Sequence, residues 1–237
     1  MLLAPTRFNE EERLAELAKL DLLYTPPEQA FDRITGELAR IFDVPVAMIT
    51  LMDRDMQFFV SQVGLPAELA AARVAARDMS LCSHVIANNE TLVVGNLNED
   101  PRFQDNPTVT HGGAVFYAGV PLRSDNGLAV GTVCIIDAQP RELPPREQQL
   151  LQLLASEVMT AIKLRRATLE LHGISQRLAR RNAAVERELN EARIVQQFLL
   201  PPSPQRGPGF QIYHTYHPFD HIGGDFVDVH EIGRAHV

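Results

Sequence analysis

The run Phe116-Tyr117-Ala118-Gly119-Val120-Pro121-Leu122, followed after Asp125-Asn126-Gly127 by Leu128-Ala129-Val130-Gly131-Thr132-Val133-Cys134-Ile135-Ile136, decides how this chain folds. Two stretches rich in β-branched and aromatic residues flank an Asn-Gly pair, the residue types that reverse a chain tightly between antiparallel strands. Residues 115–122 and 128–136 are therefore expected to pair. Working outward, residues 46–52 and 57–63 are two further β-rich runs, with Asp53-Arg54-Asp55 between them as a turn of hairpin length. Gly64-Leu65-Pro66 ends the second of these, and an Ala-rich connection follows. Ser80 is placed to cap a short helix through Ala87, and residues 91–96 offer another strand before the polar stretch 98–107.

Towards the ends the apolar period changes from two to about 3.6. Asn9 and three glutamates form a cap and an acidic first turn, after which Leu14, Leu17, Leu20 and Leu22 return at roughly helical spacing. Thr25-Pro26-Pro27 breaks that helix, and residues 28–42 place Phe31, Ile34, Leu38 and Ile41 on one face of a second. Beyond Pro144-Pro145 a third carries Leu150, Leu153, Leu154, Val158 and Ile162. A meander between leading and closing helices predicts an α+β sandwich, with helices on one face of an antiparallel sheet.

Length and charge limit the function classes. At 237 residues and 45% hydrophobic content, one full domain with attachments is expected. A net charge of −8 argues against a phosphate-gripping surface, so neither nucleic acid nor membrane is expected as a partner. Cys82 and Cys134, the only cysteines, sit in apolar stretches and read as reduced thiols rather than a disulfide framework. The N-terminal apolar run is too short for a signal peptide and no segment approaches the ~20 apolar residues of a membrane span, so a cytoplasmic location is expected.

Several phrases carry more than pattern: Leu81-Cys82-Ser83-His84-Val85-Ile86, Asp100-Pro101-Arg102-Phe103, Asn106-Pro107, the run 116–122, and Gly131-Thr132-Val133-Cys134-Ile135-Ile136-Asp137 with Pro140-Arg141. In this order, over residues 26–163, they resemble the GAF domain, a small-molecule and signal-sensing module of many bacterial regulators. The resemblance implies a GAF-like antiparallel sheet flanked by helices and a small-molecule ligand. Cys82, Arg102, Phe116 and Tyr117 are the candidate ligand-facing residues, with ordinary core packing as the alternative for the aromatic pair. Phytochrome-like GAF domains attach a bilin through a cysteine commonly followed by His. Ser83 follows Cys82 here, so no bilin is expected and a buried helix cysteine is the alternative.

Past Ile162 no stop signal appears before Leu200. Leu164, Leu171, Leu178, Val185 and Ala192 recur every seventh residue, with Ala167, Ile174 and Val195 in the companion register, which predicts a coiled-coil signalling helix over 164–200 and a homodimer through 164–195. Arg181 and Glu188 interrupt the second row and Gly173 weakens the helix, giving a marginal seam. A marginal seam suits a switch between two packings, with a passive spacer as the alternative. The seven Arg and four Glu of residues 165–195 fit the outer flanks of an exposed helix pair.

The last residues, 201–237, bear the only constellation that suggests catalysis. Gln196, Gln197, Leu199, Leu200 and Pro201 lead through Tyr216 and Pro218 to Ile222-Gly223-Gly224-Asp225-Phe226-Val227-Asp228. Gly223 and Gly224 permit a tight turn, from which the Asp225 carboxylate can reach a hard cation. The whole run resembles the opening of the PPM-type serine/threonine phosphatase domain of the stage II sporulation protein E group. That resemblance implies a fragment of an α/β phosphatase sandwich, Asp225 as one ligand of a two-metal Mn²⁺ or Mg²⁺ site, and a phosphoprotein substrate such as an anti-sigma factor antagonist. Asp228 is the weaker ligand candidate, because residues three apart in a strand face opposite sides. Further metal-binding aspartates are lacking, so this polypeptide is expected to be an inactive fragment of its parent enzyme. The sensor part of a diguanylate cyclase is a remoter alternative, since such a cyclase requires Gly-Gly-Asp-Glu-Phe and the Glu is missing. His214, His217, His221, His230 and His236 read as surface residues rather than a zinc site. The alternative from another class is a non-enzymatic GAF sensor and dimerisation module.

Overall fold

The computed structural model describes residues 9–200, 203–213 and 215. The chain divides into two compact units, residues 1–168 and 169–237. In the first, strands β1 (Val46–Met52), β2 (Met56–Val63), β3 (Val74–Ala76), β4 (Leu92–Val94), β5 (Phe116–Arg123) and β6 (Ala129–Asp137) form one antiparallel sheet in the order β3-β2-β1-β6-β5-β4. The hairpins β1–β2 and β5–β6 both form as expected. They join because β1 pairs with β6 along Val46↔Ile136 to Leu51↔Gly131, which puts the two most apolar strands at the centre. Gly131 permits this close pairing, since a Cβ there would lie 2.1 Å from the Thr50 carbonyl oxygen.

Helices α1 (Glu10–Ala18), α2 (Gln29–Phe42) and the start of α6 (Pro145–Leu199) cover one face of the sheet. Phe31, Leu38 and Phe42 of α2 and Leu151, Ala155, Val158, Met159 and Ile162 of α6 meet Ile49, Leu51, Phe58, Val60, Phe116, Val120, Val133 and Ile135 in a single core. The opposite face is also covered, which corrects the expectation of helices on one side only. Helices α4 (Cys82–Asn88) and α5 (Pro107–Thr110), with the loop carrying Leu97 and Phe103, bury Met48, Met52, Phe59, Tyr117, Cys134 and Ile136. Burial on both faces explains why β5 and β6 are near-continuous apolar runs rather than alternating ones. A short helix, α3 (Ala67–Ala72), occupies the Ala-rich connection.

Two helix phases differ from expectation. In α2 the inward positions are Phe31, Thr35, Leu38 and Phe42, and Ile41 is exposed. Thr35 fits in the core because its hydroxyl donates to the Phe31 carbonyl at 3.0 Å. In α6 Leu151 and Ala155 point inward, whereas Leu150 and Leu153 face solvent. Helix α1 ends at Ala18, and Leu20 and Leu22 beyond it enter the same core as Leu17.

A charged cluster ties α1 to the sheet. Arg13 is fully buried; it donates to Glu10 Oε1 at 2.7 Å and Oε2 at 2.9 Å, and to the Met52 carbonyl at 2.5 Å. Arg77 donates to the same Glu10 Oε1 at 2.5 Å. Burial opposes ionisation of Glu10, but hydrogen bonds from the two guanidiniums outweigh it and hold the carboxyl at about 2.

The second unit begins within α6, which runs on to Leu199, and contains the hairpin β7 (Gln205–Gly207) and β8 (Phe210–Ile212). On the helix, Leu164, Leu171, Ile174, Leu178, Val185 and Val195 are all exposed. Asp225, Asp228 and the five C-terminal histidines lie outside the described residues.

Candidate functional site

Beneath α4 a small polar cluster lies inside an otherwise apolar core. The N-cap of α4 is Leu81 rather than the expected Ser80; Ser80 stands one residue earlier, and its Oγ accepts from the Cys82 amide at 3.1 Å, which anchors Cys82 on the first turn. From the sheet, Cys134 places its Sγ 3.6 Å from Cys82 Sγ, and Tyr117 donates its hydroxyl to Cys82 at 3.3 Å. Gly119, paired with Cys134 across the β5–β6 ladder, makes this possible. A Cβ at 119 would lie 2.2 Å from the Tyr117 hydroxyl oxygen, so only glycine leaves the ring its position. On the same face of β6, Thr132 shares a 2.8 Å hydrogen bond with Thr50.

These contacts separate the two thiols. The hydrogen bond with Cys134 pulls Cys82 down to about 6 against the opposing effect of burial, with help from Thr132, Tyr117 and Ser80. The same interaction, together with burial, pushes Cys134 well up. Burial also raises Tyr117 well above the usual phenol range, which keeps its hydroxyl a donor. Both cysteines are free thiols. In β2, the buried Gln57 side-chain nitrogen has no hydrogen-bond partner.

On the other side of the sheet a groove of about 620 Å³ opens between β5 and α6. Val120, Ala155 and Met159 form an apolar floor, and Arg123, Gln152 and Lys163 stand at the rim. Arg123 is oriented by Asn89, whose side-chain oxygen accepts at 3.1 Å and whose carbonyl accepts at 2.7 Å. Lys163 is paired with Asp125. An apolar floor with a few polar rim groups is the usual construction of a small-molecule site.

The four sequence candidates do not converge. Cys82 and Tyr117 meet, as described. Phe116 is adjacent to Tyr117 in β5 and so packs into the core of the opposite face. Arg102 pairs with Asp100 at 2.6 Å and stacks over Phe103, 4.8 Å from its centroid. Cys134, Gly119 and the groove residues had no functional reading in the sequence. The groove is built from residues far apart in the chain, and Cys134 sits in an unbroken apolar run. Among the described residues no group of three or more His, Cys, Asp or Glu side chains could hold a metal ion.

The GAF domain family model matches residues 26–162, more than half of the chain. The chain belongs to the GAF domain family. A curated relative is a cyclic di-GMP phosphodiesterase of Pseudomonas aeruginosa, 33% identical over 170 residues, which covers 71% of this chain and 28% of that protein. The chain thus spans about a quarter of the length of this relative. Among solved structures, the GAF domain of a phosphoenolpyruvate-protein phosphotransferase from Coxiella burnetii superposes with a TM-score of 0.52 at 16% identity, covering 68% of this chain and 98% of that one. The corresponding domain from Acinetobacter gives 0.50 at 17% identity, over 70% and 99% of the two chains. A free methionine-R-sulfoxide reductase from Neisseria meningitidis, solved with its substrate, gives 0.50 at 16% identity, over 71% and 98%. These likenesses establish the GAF fold. The protein is a GAF-containing signalling protein, with no helix among its described residues long and apolar enough to cross a membrane.

Proposed function

We propose that residues 26–199 work as the sensing and dimerising part of a signalling protein, passing the state of the GAF body to an output domain through α6. One observation carries this reading: the same unbroken helix supplies a wall of the 620 Å³ groove and, further on, the exposed heptad leucines. A small molecule seated against Ala155, Met159 and Lys163 contacts the output helix itself. A 55-residue helix with exposed leucines at heptad spacing has little reason to stay solitary, since most helical stability comes from packing an apolar face. A second copy of the chain, in parallel, is the occupant whose heptad matches along the whole seam. Sedimentation equilibrium tests this: dimers that Leu171→Asp converts to monomers support the reading, and a monomer at about 100 µM refutes it.

A PPM-type phosphatase is the second reading, for the identity of the output domain, and it is favoured by the run from Gln196 to Asp228. The relative with a cyclic di-GMP phosphodiesterase activity supports a different output joined to a similar sensor. The two separate in an assay on the longest natural chain bearing this segment. Mn²⁺-dependent release of phosphate from a phosphoserine protein, lost in Asp225→Ala, supports the phosphatase; cyclic di-GMP turnover without it supports the other.

A further inference from the structure

We propose that Cys82 and Cys134 are a peroxide-reactive dithiol that closes to an intramolecular disulfide inside the GAF core. The two thiols meet beneath α4, away from the groove and from the exposed leucines of α6. The two sulfurs are 3.6 Å apart, and a bond of about 2.05 Å requires side-chain rotation and a small approach of α4 to β6 rather than refolding. They come from different elements, 52 residues apart, so their contact is a product of the fold. Around them are Tyr117 from β5, Thr132 from β6 and Ser80 before α4, with no charged group among the hydrogen-bond partners.

The two thiols are not equivalent. Cys82 accepts the Tyr117 hydroxyl hydrogen bond and is 2% exposed at the first turn of a seven-residue helix, whereas Cys134 is fully enclosed in a central strand. The Tyr117 hydrogen bond stabilises negative charge on the Cys82 sulfur, so Cys82 is assigned the attack and Cys134 the resolving step. In the first step the Cys82 sulfur attacks one peroxide oxygen and the O–O bond breaks. The other oxygen takes a proton and leaves as water, or as an alcohol from an organic hydroperoxide, and Cys82 becomes a sulfenic acid. In the second, the Cys134 sulfur attacks the Cys82 sulfur, the S–O bond breaks, and hydroxide leaves with the Cys134 proton as water. Two thiols supply two electrons to one hydroperoxide.

The test is a thiol count on the full chain. Hydrogen peroxide treatment, followed by denaturation, N-ethylmaleimide and intact mass, should replace the two-adduct species by a zero-adduct species two hydrogens lighter than the unlabelled reduced chain, with the two-adduct species restored by dithiothreitol. Cys134→Ser should instead accumulate a sulfenic acid that dimedone labels at Cys82, and Cys82→Ser should leave Cys134 unmodified. Tyr117→Phe, which removes the donor to Cys82, should slow the first step by about 10-fold. Two adducts persisting after peroxide, a product with one thiol consumed, or a disulfide joining two chains each overturns the proposal; the wild-type measurement decides this even where a variant folds poorly.

Discussion

Arg181→Leu tests the helix seam most directly, because it should tighten an association rather than break one. Leu164, Leu171, Ile174, Leu178, Val185 and Val195 are between 45% and 67% exposed on α6. Burying a large apolar side chain contributes about 1.5–3 kcal/mol, so the exposed fractions are worth about 1–2 kcal/mol each. Twelve such residues in a pair give about 12–24 kcal/mol gross, against an association cost of about 4–15 kcal/mol. In a parallel pair the two Arg181 side chains meet at one level, where they repel each other and keep the seam wet. Replacing both by leucine should gain about 1 kcal/mol per helix, hence about 30-fold in dissociation constant. Sedimentation equilibrium at low and high salt supplies the readout: salt should tighten the wild type by screening the arginines and leave the variant unaffected. An unchanged or weaker dimer in Arg181→Leu would show that position 181 does not face its counterpart, and the parallel seam would fall.

Other substitutions probe the GAF body. Gly119→Ala should drive a Cβ into the Tyr117 hydroxyl and cost about 1–3 kcal/mol by overpacking, read as a lower urea midpoint; unaltered stability would mean the ring relaxes freely. Gln57→Met removes a buried donor that has no partner and should raise stability by about 1–2 kcal/mol, whereas a loss would reveal a bound water or ligand on that nitrogen. Glu10, held at about 2 in the folded chain, contributes stability that is present above its unfolded value and lost as the pH falls through the range from about 4.5 to 2. Allowing for solvent screening at its open edge, that contribution is about 1–2 kcal/mol, and Glu10→Gln should flatten the acid limb of stability against pH by this amount. An acid limb identical in the variant would refute the assignment.

What could be read in the sequence follows the range of each signal. The two hairpins were legible because each is a local event: apolar runs 46–52 and 57–63 around a polar turn, and 115–122 and 128–136 around Asn-Gly. Their union through β1 and β6 left no local trace, as the pairing joins segments about 80 residues apart. Helix α6 misled on phase for a physical reason. It carries two apolar stripes, one facing the sheet through Leu151, Ala155 and Val158 and one facing outward through Leu150, Leu153 and Leu164, and a single-stripe reading blends them. The cover on the second face was hidden in a segment that looks like a polar loop. Phe103 and Asn106 lie in it, and Asn106 earns its burial by accepting from the Thr108 amide at 2.8 Å and donating to the Met79 carbonyl at 3.1 Å.

The same distinction governs the two candidate sites. Cys82 was visible as an unusual residue, but its chemistry depends on Cys134, Tyr117 and the missing side chain of Gly119, three contributions made by strands that sequence order does not bring together. Their meeting also ties the site to the framework, because β6 pairs along its length with both β1 and β5 at the centre of the sheet. Any approach of Cys82 to Cys134 must therefore be made by α4, a seven-residue helix held at its start by Ser80 and packed on the sheet through Val85 and Ile86. The groove lies on the opposite face, with α6 as its wall. The thiol pair under α4 and the groove beside α6 thus lie under different covers of one sheet. Strand β5 carries Tyr117 towards the first and Val120 towards the second, so Gly119→Ala, which displaces the Tyr117 ring, tests whether a change under α4 reaches the groove.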